Sequence, residues 1–422
     1  MLRSVLTGAK QAARRSTCGA TASRRSASVL AGDPELEPIK EGVRDLCAGF
    51  PGEYWRDLDA RSEYPTGFVS AMSQAGYLGM LIPEEHGGTG NTLREACAVL
   101  ETVHASGCNG GAAHAQMYTM GTVLRHGSDA QKARFLPKIA DGSLRLQAFG
   151  VSEPNNGTDT LSLETTAKLA ADGTHYVISG QKMWTSRAEH SDLMLCLART
   201  AHEDDGSGTP RSKCLSMFIV DMQEQKARGA LSISPVETMM NHSTTSLFMD
   251  GMVVPAENRV GDEGEGFKCV LTSMNAERLL IAAECIGDGR YFVERAVAYA
   301  KQREVFGRPI GQNQGIQFPI AAAYAKLEAA ALMVERGARM YDEGASHAEV
   351  GALANMAKML AADASWECGD VCMQTHGGYG FAKEYDIERK FRETRLYRVA
   401  PISTNLILSF VAEKVLGMPR SY

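Results

Sequence analysis

No run of about 18 consecutive apolar residues occurs in the 422-residue chain, so nothing in it reads as a membrane span. No G-x-G-x-x-G follows a strand and there is no P-loop, which rules out a nucleotide held in Rossmann or Walker fashion. The ten cysteines are scattered singly and lack a C-x-x-C pair; Cys368 and Cys372 are one helical turn apart. They read as small buried side chains, neither disulfides nor metal ligands. The ten histidines show no H-x-x-x-H spacing, and no metal is expected. A basic excess is missing too: the net charge is −6, which argues against nucleic acid as the main partner.

Acidic residues are absent from one place, the stretch before Asp33. Residues 1–30 carry Arg3, Lys10, Arg14, Arg15, Arg24 and Arg25 among many Ser, Thr and Ala, the composition of a mitochondrial transit peptide. Without those six charges the net falls from −6 to −12. The expected location is the mitochondrial matrix. The C-terminus, Arg420-Ser421-Tyr422, is not a peroxisomal address.

What is present divides by period. Residues 31–146 read as helices joined by turns, with Thr92 and Glu95 as a capping box ahead of Ala96, Leu100 and Val103 at helical spacing. Asn109–Thr122 is rich in Gly, Ala and Met, which leave room beside a helix and form an adaptable wall. Residues 147–262 change to short β-rich segments, such as His175–Ser179 and Leu193–Leu197, with a polar loop over 201–212. Closely spaced strands without intervening helices predict a small antiparallel barrel or sandwich. Residues 263–422 return to helical spacing: Leu327, Ala331, Val334, Ala338 and Tyr341, then Leu353, Met356, Leu360, Ala364 and Cys368. This predicts an up-down four-helix bundle and, overall, an α+β chain.

Between the helical and β-rich parts stands Phe149–Asp159, F-G-V-S-E-P-N-N-G-T-D, a turn able to line a planar, polar cofactor. Gly180–Ala188 follows, G-Q-K-M-W-T-S-R-A, and then Asp192–Thr200, D-L-M-L-C-L-A-R-T. These stretches, matched in register from about residue 35 to the C-terminus, resemble the acyl-CoA dehydrogenase family. The resemblance implies an FAD enzyme that converts an acyl-CoA to its trans-2-enoyl-CoA in fatty-acid or branched-chain amino-acid breakdown. It implies electron-transfer flavoprotein as acceptor and a homotetramer, a dimer of dimers.

It also assigns residues. Val151, Ser152, Trp184, Thr185 and Ser186 match isoalloxazine contacts. Arg303 and Phe306 match contacts to a neighbouring subunit's FAD, and Gln314, Gln374, Gly377 and Gly378 match its adenine end. Ser403, Thr404 and Asn405 match a second FAD segment. Thr158 and Arg278 match acyl-CoA contacts, while Asn155 and Asn156 replace small residues at the pantetheine entry. Members place the catalytic base either in the loop before the last helix or on the first helix of the C-terminal bundle. The aligned loop residue here is Pro401, which cannot act as a base and has no N–H for the thioester carbonyl. A ribityl hydroxyl with another N–H, such as that of Ile402, is the expected substitute. Glu277, in M-N-A-E-R-L-L-I, occupies the helix position amid apolar neighbours that would raise its pKa; Glu284 is the fallback. Rival readings are an acyl-CoA oxidase, a nitroalkane oxidase-like flavoenzyme, or a non-catalytic nucleic-acid-binding flavoprotein of the same fold.

Overall fold

A computed structural model describes residues 33–202 and 208–421. The basic stretch over 1–30 and positions 203–207 of the polar loop lie outside the described residues. Six helices come first: α1 (Glu37–Ala48), α2 (Gly52–Arg61), α3 (Thr66–Gln74), α4 (Leu93–Ala105), α5 (Gly111–His126) and α6 (Asp129–Ala140). α4 opens on the capping box read from the sequence. The Thr92 hydroxyl accepts the Glu95 N–H, and the Glu95 carboxylate accepts the Thr92 N–H at 2.8 Å. In the turn before α4, Gly88 packs so closely on the Ile82 carbonyl that a Cβ would collide.

The central sheet contains β1 (Leu146–Gly150), β2 (Thr166–Leu169), β3 (His175–Ser186), β4 (Leu193–Arg199), β5 (Leu215–Asp221), β6 (Leu231–Pro235), β7 (Thr244–Pro255) and β8 (Arg259–Val260). A short helix, α7 (Met222–Ala227), follows β5. The order is β6-β7-β3-β2-β4-β5-β8, and β1 pairs with β4 off that path. Most neighbours are antiparallel, but β1 runs parallel to β4, with Leu146 opposite Leu193, so the sheet is mixed. The reason lies in β4, L-M-L-C-L-A-R. It is apolar without alternation and buried on both faces, as a central strand with a parallel neighbour requires. Leu195, Leu197 and Ile219 face Met120 and Val123 of α5 and Phe135 of α6. Met194, Phe218 and Leu247 form a second core on the opposite face.

The last part is helical. α8 (Gly266–Gln302) leads into a small hairpin, β9 (Glu304–Val305) with β10 (Arg308–Pro309). Then come α9 (Gln314–Asp342), α10 (His347–His376), α11 (Ile387–Thr394) and α12 (Thr404–Phe410), which ends in one π-helical turn over Val411–Val415. Three long helices and a short fourth therefore make the bundle. α8 is its strut. Leu279, Leu280 and Phe292 are fully buried, and each such side chain contributes roughly 1.5–3 kcal/mol by leaving water. Gly287 lies so close to the Glu101 carbonyl that a Cβ would collide, which lets α4 cross α8 at short range.

Candidate active site

A cavity of about 270 Å³ opens where α5, the turn after β1, the end of β3, α8 and the loop before α12 converge. Its floor comes from α8. Val270, Met274, Glu277, Ile281 and Glu284 line it at steps of four, three, four and three residues, one face of the helix. Its ceiling is the turn after β1, which a buried ion pair holds in place. Lys182 Nζ donates to the Val151 carbonyl at 3.1 Å and to Glu153 Oε1 at 2.9 Å. The Glu153 carboxylate also accepts the Glu164 and Thr165 N–H groups at 2.6 and 2.9 Å. Met183 N–H donates to the Ser152 carbonyl at 2.9 Å, tying the turn to β3. Lys182→Met strands the Glu153 charge and is expected to cost about 3–5 kcal/mol. The urea midpoint checks this, and the Lys182→Met/Glu153→Leu double variant should recover most of the loss.

One residue further on, the β3–β7 ladder shifts register between Lys182 and Thr185, and Trp184 adopts φ +63°. This bulge turns the indole out of the strand into the cavity, where it is 58% exposed. The hydroxyl-bearing Ser152 and Ser186 line the same space, and a Cβ on Gly157 would meet no atom. An uncovered indole face, flanking hydroxyls and an open glycine fit a flat heteroaromatic ring.

Glu277 is 6% exposed. Burial pushes its carboxyl up to about 7, with His114, Arg278 and Lys358 drawing it partly back. Glu284 behaves oppositely. Burial alone would raise it, but the charges and hydrogen bonds of His114 and His104 outweigh that and hold it well below the carboxylate range. His114 Nδ1 is 3.3 Å and His104 Nε2 3.7 Å from Glu284 Oε1. Arg187, just past β3, also reaches the cavity, together with His242. Of these polar residues, His104, His114, Arg187 and His242 were not singled out from the sequence. The one available signal was Arg187 closing the K-M-W-T-S-R-A motif.

Of the other sequence-assigned residues, Val151, Ser152, Trp184 and Ser186 line the cavity; Thr185 is buried behind them. Thr158 is exposed on the turn, while Thr160 lines the cavity. Arg278 is buried beside it, donating to Asn275 Oδ1 at 3.1 Å. Pro401 lines the cavity with Ala400, but Ile402 does not; its carbonyl accepts Lys358 Nζ at 2.8 Å. The Ser403 hydroxyl caps α12, with the Leu406 N–H at 3.4 Å, and Asn405 is exposed.

Arg303, Phe306, Gln314, Gln374, Gly377 and Gly378 lie away from the cavity, exposed where α8 ends, α9 begins and α10 ends. There the Arg303 guanidinium sits over the Tyr379 ring, 5.9 Å from its centroid. Phe306 is fully exposed, with φ +55°.

A helical, mixed-sheet and helical chain with a desolvated carboxylate on the floor of a flat-sided cavity defines a flavoenzyme of the dehydrogenase class. Family models agree. The acyl-CoA dehydrogenase N-terminal domain matches residues 33–143, the middle domain 148–252 and the C-terminal domain 264–416. An acyl-CoA dehydrogenase FadE12 of Mycobacterium tuberculosis is 34% identical over 391 residues, 92% of this chain and 97% of that one. A glutaryl-CoA dehydrogenase of Desulfococcus multivorans is 32% identical over 394 residues, covering 92% and 98%. The structure of a glutaryl-coenzyme A dehydrogenase in complex with glutaryl-CoA superimposes with a TM-score of 0.82 at 28% identity, covering 92% and 97%. The chain belongs to the acyl-CoA dehydrogenase family, whose cofactor is FAD.

The relatives also correct one expectation. They come from Mycobacterium, Bacillus, Desulfococcus and Clostridium, bacteria that have no mitochondria. The mitochondrial-matrix location read from residues 1–30 is therefore withdrawn. A basic, Ser- and Ala-rich, acid-free segment is a compositional feature, and composition alone carries no address.

Proposed function

We propose that the protein dehydrogenates an acyl-CoA thioester between its α and β carbons, with Glu277 as the base that takes the α-proton. The observation that carries this reading is a carboxylate on the cavity floor whose burial brings its pKa to about 7. A base poised near working pH combines a substantial ionised fraction with real basicity. FAD, when bound, supplies the acceptor for the β-hydrogen, which leaves as hydride. Val151, Ser152, Trp184 and Ser186 would hold its ring. The proton ends on a Glu277 oxygen, the apolar Met274 and Ile281 on the same face keep water out, and Arg278 behind favours the ionised carboxylate before the transfer. Pro401 contributes shape and no N–H donor. Thr158 and Arg278 are proposed at the CoA side, and electron-transfer flavoprotein is the proposed acceptor of the electrons.

The test is anaerobic mixing of the yellow protein with a panel of acyl-CoAs. Bleaching by at least one thioester is expected, as is slow return of colour in air and fast return with electron-transfer flavoprotein. A flavin that no acyl-CoA bleaches would overturn the proposal.

A homotetramer is proposed on the same footing, supported by the exposed Phe306, Phe318 and Phe381 around Arg303, Gln314, Gln374, Gly377 and Gly378. Single exposed aromatics are ordinary, whereas a cluster marks a partner surface. In this proposal the exposed residues close over a neighbouring subunit's FAD, with the Arg303 fork on its diphosphate and Ser403 and Asn405 on the other side. Arg303→Ala should lower flavin content several-fold in purified protein while leaving the melting midpoint of the flavin-free chain unchanged. Unaltered flavin content would remove Arg303 from the FAD site.

A further inference from the structure

The end of the cavity beyond Glu277 is wrong for a hydrocarbon tail. Glu284, two turns along α8 and roughly 10.5 Å further along its axis, marks the depth at which the lining turns polar. There α5 contributes His114, the end of β3 contributes Arg187, and the segment before β7 contributes His242. Arg187 and His114 are 7% and 5% exposed. An apolar chain end pushed among them would leave them desolvated and unpaired.

Within this group the charges are not directly paired. Glu284 has His114 Nδ1 at 3.3 Å and His104 Nε2 at 3.7 Å. His104 Nε2 also accepts the Gly110 N–H at 2.9 Å. Arg187 has no such partner: among the described residues no carboxylate lies within ion-pair distance of its guanidinium. Its side-chain hydrogen bond is Nη2 to His242 Nδ1 at 3.2 Å. Burial pushes His242 well below its ordinary value, so it is neutral. With Nδ1 accepting from Arg187, its proton sits on Nε2. The guanidinium has room here because position 111 is glycine; a Cβ there would run into Nη2. Glu284 acts on it only from beyond ion-pair distance, so a buried, planar, five-donor cation keeps donors free for an anion.

We infer that Arg187, flanked by His242, forms a subsite for a carboxylate at the far end of the acyl group, so that the substrate is an acyl-CoA whose tail ends in a carboxylate. The inference rests on the dehydrogenase reading above. It adds that the two carboxylates of α8 that line the cavity have divided roles: Glu277 faces the reacting carbons, and Glu284 with its histidines closes the pocket beside the anion.

The test compares thioesters of equal length ending in a methyl or a carboxylate, on the full-length flavin-loaded protein. Two readouts are taken: rapid-mixing flavin reduction, and calorimetric binding of non-oxidisable thioether analogues of the same two tails. The carboxylate-ended compounds should be favoured about 10²-fold or more in both, because a site built around a polar partner rejects analogues lacking it. In Arg187→Met that ratio should collapse toward unity, and in Arg187→Lys, which keeps charge but loses the fork, it should fall between. Equal binding of the two tails by the wild-type protein, or a ratio unchanged in Arg187→Met, overturns the inference whether or not the flavin bleaches. Carboxylate-selective, Arg187-dependent binding without any bleaching would sustain the subsite and sink the dehydrogenase reading instead. The wild-type ratio needs no variant to fold, so a poorly folding Arg187→Met leaves the test intact.

Discussion

Glu277→Gln is expected to slow flavin reduction by the best acyl-CoA by about 10²–10⁴-fold, the range a positioned general base supplies. The change keeps volume and hydrogen-bonding capacity and removes the proton acceptor, so flavin content and thioester binding should stay near wild type. Glu284→Gln is the companion variant. Glu284 lines the cavity too, but His114 and His104 hold it well below the carboxylate range, which makes it a poor base near neutrality. Loss of reduction in Glu284→Gln with retention in Glu277→Gln would move the base two turns along α8.

The pH dependence has a definite sign. Glu277 titrates near 7 in the folded protein, so kcat/KM for reduction should rise with pH through about 7 and level off above. Stability should move the other way. Because the folded pKa lies above the unfolded one, the folded state binds the extra proton between about pH 4.5 and 7, and stability falls across that window. In Glu277→Gln this decline disappears, and the variant should be the more stable protein at pH 8, by about 3 kcal/mol at most. A variant that is both inactive and more stable is the signature of a desolvated base. One that is inactive and less stable would point to a structural role.

Periodicity made much of the chain readable. The helical spacings of α9 and α10, the β-rich centre and the Thr92–Glu95 box are local patterns, and the structure contains them as read. The burial of Glu277 was legible because its apolar neighbours are adjacent in sequence. The parallel entry of β1 onto β4 was not, since it depends on which strand ends up central rather than on alternation within either. The polar end of the cavity was equally hidden. His114, Arg187, His242 and Glu284 come from four elements, and no spacing between them is local. The Lys182–Glu153 pair that holds the turn after β1 spans 29 positions for the same reason.

A second consequence of burial concerns Lys390 in α11. Lys390→Met is expected to destabilise the protein by about 3–5 kcal/mol, the cost of leaving buried carboxylates without their cation. Its Nζ is 2.5 Å from Asp288 Oδ1 and 3.0 Å from Glu393 Oε2, and neither it nor Asp288 has any exposed surface. Burial would lower its pKa, but Asp288 and Glu393 more than offset this and raise it. Asp288 also meets His104 Nδ1 at 2.9 Å, and His104 Nε2 faces Glu284, so the network runs from the α11 side to the cavity wall. His104 Nε2 also accepts the Gly110 N–H at 2.9 Å, so the ring proton sits on Nδ1 and faces Asp288. His104→Gln should therefore lower the urea midpoint as well, by less than Lys390→Met, because it removes neutral hydrogen bonds and strands no charge. A midpoint for Lys390→Met within error of wild type would break the argument. It would mean that the charges reach water or one another by a route other than this network.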